Sequence, residues 1–86
     1  MKQLEKILKA IANHRRLAIV KLLKEKKELT VGDIATGIKL SFRATSKHLR
    51  ILSVVDIVES DQRSIQIFYK LSQMQEPFIK YLVSIL

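Results

Sequence analysis

The chain contains no cysteine. That removes disulfides, thiolate metal sites and cysteine nucleophiles together, and with them thiol redox chemistry. Tryptophan is absent, and there are only one proline and two glycines, so the low-complexity signature of a disordered or linker segment is missing. No apolar run reaches the roughly 18 to 20 residues needed to cross a bilayer. Lys80 interrupts even the apolar tail from Pro77 to Leu86. The opening MKQLEKILKA mixes charge into its apolar pattern and so lacks the continuous apolar segment of a secretory signal. A soluble, cytoplasmic protein without a membrane partner is expected.

What is present is a chain of 86 residues, 48% of them apolar, with a formal charge of +8. This length fits a single domain spanning residues 1–86, near the lower limit at which one core is self-sufficient, so a partner subunit would add to its stability. The charge is regional: residues 1–50 hold 13 lysines or arginines against 4 acids, and residues 51–86 hold 3 against 4. A basic half attracts a polyanion, nucleic acid first and an anionic membrane surface second.

Leu4, Ile7, Leu8 and Ile11 recur at helical spacing and predict a first helix. Asn13 is suited to cap a second, HRRLAIVKLLKEKK, whose apolar arc of Leu17, Ile19, Val20, Leu22 and Leu23 is wide enough for a central position. Thr30, followed by Asp33, predicts a short third helix from about Val31 to Thr36, with Gly37 as its left-handed terminator. Ser41 then caps a helix reaching about Val54. Beyond Asp56 the period changes to two. Ile57 to Ser60 reads as a short strand, and Ile65, Ile67, Tyr69 and Leu71 alternate with Gln66, Phe68 and Lys70 in a second, with Asp61 to Ser64 as the turn. Pro77 opens a last helix. Seven of the nine residues from Phe78 to Leu86 are apolar, more than one small core can cover, so some should meet a second protomer.

The predicted fold is mainly α with a small β-hairpin, in the order α-α-α-α-β-β-α of a winged helix-turn-helix. At 100° per residue, Thr45, Leu49 and Leu52 share one side of the Ser41–Val54 helix. Arg43, Lys47 and Arg50 lie within about 60° of one another on the other side, beside Ser46 and with no acid among them. The major groove admits one helix, and a helix buried on one side presents the other to base edges. Arg43 is the candidate for a bidentate guanine contact, Lys47 for a base or phosphate, and Arg50 for a phosphate clamp. Ser41, Phe42, Ala44 and His48 complete the candidate set on the helix, and Arg63 is expected to reach a groove or phosphate from the hairpin tip.

HRRLAIVKLL, LTVGDIA and LSFRATSKHLRIL, with QRSIQIFYKLS after them, resemble the arsenical-repressor (ArsR) type of winged-helix regulator over residues 7 to 72. The resemblance implies a homodimeric double-stranded-DNA-binding transcriptional regulator, with repression the expected mode. It places the reading helix at Ser41 to Leu52 and the wing at Asp61 to Ser64. It also implies dimerisation through the first and last helices, which nominates Leu4, Ile7, Leu8, Ile11, Phe78, Ile79, Leu82, Val83 and Leu86. The chain departs from the pattern in four ways. Thr30 and Gly32 stand where soft-metal sensors carry cysteines; the last helix offers Glu76 but no histidine; and Asp56 and Gln62 replace the usual glycines.

Metal sensing and bound cofactors are therefore not expected. His14 and His48 lie on different helices without thiolates or spaced carboxylates. Catalysis is not expected either, because no nucleophile–base pair or phosphate-cradling glycine loop is present. The rival reading is a winged-helix RNA-binding or protein-interaction module. Against RNA, Phe42 is the only aromatic near the basic face.

Overall fold

The computed structural model describes residues 1–73 and 75–86. Its elements run α1 (Lys2–Ile11), α2 (His14–Lys26), β1 (Glu28–Thr30), α3 (Val31–Ile38), α4 (Phe42–Val54), β2 (Val58–Arg63), β3 (Gln66–Leu71) and α5 (Pro77–Ser84). The start signals act as the sequence predicts. Asn13 Oδ1 accepts from the Arg15 and Arg16 amides at 2.9 and 3.1 Å, and Thr30 Oγ1 accepts from Asp33 N at 3.2 Å. Each satisfies amide donors that the first helical turn leaves unpaired.

α2 is central. Ile19 and Val20 are fully buried, and Leu23 joins Ile7, Ile11, Ile34, Leu49, Leu52, Ile57 and Ile79 in one core drawn from every helix. At roughly 1.5 to 3 kcal/mol for each fully buried aliphatic side chain, this core is the main force seating the helices on one another.

Three local features differ from the sequence expectation. Gly37 lies inside α3, which runs two residues past Thr36, and Lys39 takes the left-handed position at φ 57°. The Leu40 amide closes that turn on Ala35 O at 3.0 Å. The use of Gly37 is close packing, since a Cβ there would stand 2.7 Å from Leu22 Cδ2. The hairpin is also longer and tighter than expected. Asp61 to Arg63 belong to β2, the pairing runs from Val58↔Leu71 to Arg63↔Gln66, and only Ser64 and Ile65 make the turn. Ser64 supplies the positive φ, at 60°, that a two-residue hairpin turn requires. Finally, β1 adds a third strand in the order β1-β3-β2, pairing Leu29 with Tyr69. Three residues are too few to show a period, so this strand is created by its partner.

Candidate nucleic-acid interface

α4 carries the candidate site. Ser41 Oγ accepts from the Ala44 amide at 3.1 Å, fixing where the helix begins and therefore which side each residue faces. Thr45, Leu49 and Leu52 are each 0% exposed. The opposite side holds Arg43, Lys47 and Arg50, all exposed, and an open surface lined by these three with Ser41, Phe42, Ala44 and Ser46. Among the described residues, none of the three cations makes a hydrogen bond or ion pair. A row of unpaired cations on a rigid, core-anchored rod is an anion-binding surface with fixed geometry.

The far end of α4 is fixed as well. Asp56 adopts φ 59°, a conformation Asp tolerates better than most residues, and the Ile57 amide returns to Leu52 O at 3.0 Å. This left-handed residue turns the chain from α4 toward β2.

His48 is tied into the fold. Arg16 Nη1 donates to His48 Nδ1 at 3.1 Å, while other nitrogens of the same guanidinium reach the carbonyls of Ala10 and Lys9. Burial, then the charges of Arg16, Arg15, Lys47 and His14, holds the imidazole pKa below its ordinary value. With Nδ1 accepting, the neutral ring carries its proton on Nε2, and that one N–H is what His48 has left for a phosphate.

Arg63 does not reach outward as the sequence predicts. Its Nη1 and Nη2 donate to Glu28 Oε1 and Oε2 at 2.8 and 2.6 Å, and its Nε donates to Asp61 Oδ2 at 2.9 Å. The guanidinium spans from β2 across β3 to β1, stacked 4.7 Å above the Phe68 ring. All three of its nitrogens are engaged, and these hydrogen bonds, Glu28 first, hold it even more firmly charged. The hairpin therefore presents an internally neutralised cation.

The residues nominated for the dimer seam divide. Ile7, Ile11 and Ile79, at 2%, 5% and 1% exposure, fill the protomer's own core and have no surface left for a partner. Phe78, Leu82, Val83 and Leu86 are half-buried against that core, whereas Leu4 and Leu8 keep 38% and 45% of their surface. Two residues outside the nominated set are more open still: Tyr81 on α5 at 69%, and Ile85, the residue that caps the end of α5, at 61%. Their signal in the sequence was the excess of apolar residues, which does not say which ones the core leaves over.

Among the described residues, no cluster of three or more His, Asp or Glu side chains is placed to hold a metal ion, and no helix is long and apolar enough to cross a membrane.

The family described as bacterial regulatory protein, arsR family, matches residues 13–60, a stretch from the cap of α2 into β2 that contains all of α4. The transcriptional activator HlyU of Vibrio cholerae serotype O1 is 38% identical over 69 residues. Those residues are 80% of this chain and 63% of HlyU, so the chain spans less than two thirds of that relative's length. The structure of reduced HlyU from Vibrio cholerae superposes with a TM-score of 0.83 at 32% identity, covering 98% of this chain and 84% of that one. The homodimeric winged helix-turn-helix DNA-binding domain Mb0332 from Mycobacterium bovis gives a TM-score of 0.84 at 27% identity, covering 98% and 74%. The architecture is that of a winged helix-turn-helix, with α3 and α4 as the helix-turn-helix and β2–β3 as the wing.

Proposed function

The chain belongs to the arsR family of bacterial regulatory proteins, and from that premise we propose that it binds double-stranded DNA as a homodimer and regulates transcription. The carrying observation is the two-sided construction of α4: Thr45, Leu49 and Leu52 sealed in the core, with Arg43, Lys47 and Arg50 outward and unpaired. A major groove about 12 Å wide admits such a helix edge-on. Arg43, on its first turn, meets guanine; Lys47 and Ser46, next along, meet bases or phosphate; Arg50 and Ser41 hold the backbone.

A second copy brings a second reading helix, and the solved relative Mb0332 is itself described as homodimeric. Leu4 and Leu8 on α1, Tyr81 on α5 and Ile85 just after it are the exposed apolar surface available for that seam. A domain that occupies duplex excludes other proteins from it, so repression is its simplest output, although HlyU carries the name of an activator. No metal, cofactor or catalytic step enters this reading.

Titrating duplex DNA, single-stranded RNA and anionic vesicles at several salt concentrations tests it. Duplex is expected to bind tightest, with the logarithm of affinity falling linearly against the logarithm of salt concentration. RNA or vesicles preferred over duplex at every salt concentration would refute it.

A further inference from the structure

With Arg63 neutralised, the tip of the wing has no free cation among the described residues to offer a phosphate, yet it ends in a large apolar side chain. Alternate residues of a strand share a face, so Ile65, Ile67, Tyr69 and Leu71 form one row. Leu71 and Tyr69 pack on the core, whereas Ile67 is 43% exposed and Ile65, in the turn, 94%. The row that enters the core at one end leaves it at the other with nothing over it.

Phe42 flanks the same spot. It sits on the first turn of α4 at 62% exposure, and with Ile65, Ile67 and the start of α3 it lines a notch of about 300 Å³. Phe42 also belongs to the open surface that holds Arg43 and Lys47. The apolar patch and the cationic row are therefore continuous, and whatever lies along the cations passes over the patch.

Resting on the reading of α4 as a duplex-binding helix, we propose that the wing grips DNA through apolar contact. In this arrangement Ile65 enters the minor groove against its deoxyribose walls, and Phe42 packs on the adjoining sugar or thymine methyl. The apolar groups of a duplex lie where this patch would meet them, in the groove walls beside the phosphates that the cations bind. A minor groove about 6 Å wide accepts a branched aliphatic side chain, and aliphatic wedges are an established way of holding it. Nearly all of Ile65 is in water in the free protein, so it contributes nothing to folding and its burial is reserved for the complex.

The test compares wild type, Ile65→Ser, Phe42→Ser and Lys47→Ala on a duplex selected from a random pool, with affinity measured across a salt series. Both serine substitutions fall at exposed sites, so folding is not at stake. Ile65→Ser should weaken binding roughly tenfold at every salt concentration. Phe42→Ser should weaken it by a similar factor, and neither change should alter the salt slope. Lys47→Ala should instead lower that slope by about one. Wild-type affinity in Ile65→Ser would overturn the apolar grip while leaving α4 untouched. A changed slope, or a fall in molecular mass by light scattering, would overturn it in favour of an electrostatic contact or a contact between copies. Failure of wild type to prefer duplex would remove both this grip and the function it rests on.

Discussion

Arg43 and Arg63 stand on the two parts of the molecule that a winged helix lays against DNA, but their surroundings are opposite. Arg43 projects from a capped helix whose other side is locked in the core, and among the described residues it forms no ion pair. Arg63 is bracketed by Glu28 and Asp61 across a three-stranded sheet. Exposed ion pairs of this kind add little to stability; what they change is availability, since a guanidinium with every nitrogen engaged must break those bonds before it can bind a phosphate. Exposure alone therefore does not identify a contact residue. In the proposed complex, α4 would meet DNA through charge, and the wing through shape and apolar surface.

The contrast can be broken at several points, in decreasing order of effect. Two reading helices require two copies, so Ile85→Glu, which puts a charge on the exposed apolar residue that follows α5, should halve the molecular mass by light scattering. An unchanged mass would place the seam elsewhere. Leu49→Ala empties a fully buried site under α4 and should cost about 2 to 5 kcal/mol in urea denaturation, because the cavity adds to the lost transfer energy. Arg43→Ala should reduce affinity for the preferred duplex roughly ten- to a hundredfold, whereas Arg63→Ala, measured on the same duplex, should change it less than about twofold, as expected of a neutralised cation.

The smallest effect concerns pH. Folding holds His48 neutral below the ordinary imidazole range, so the unfolded chain takes up that proton first. Stability should decline as pH falls below about 6.5 toward the folded value, and this increment should be missing in His48→Gln when the two are compared by thermal melting.

Helix α4 was legible because its signals are local. A cap at Ser41 and a 3.6-residue period assign every side chain to a face, and the structure places Thr45, Leu49 and Leu52 inside and Arg43, Lys47 and Arg50 outside as that period requires. Asn13 and Thr30 are equally local and cap as read. The wing was not legible in the same way. Arg63 is turned aside by Glu28, 35 residues earlier, through a strand, β1, that exists only because β3 lies beside it. Left-handed positions at Lys27, Lys39 and Ser64 carry no glycine to announce them, so helix ends and the hairpin turn were displaced by one to three residues. On α1 and α5 the helical period does not separate core from surface: Ile7, Ile11 and Ile79 are apolar enough for an interface, and the protomer buries them itself.

The most direct test of the account is the base-preference profile of wild type against Arg43→Ala, obtained by selecting bound duplexes from a random pool. Wild type should prefer a guanine at one position of each half-site, and Arg43→Ala should lose that preference while the other positions keep theirs. Superimposable profiles for the two proteins would contradict it.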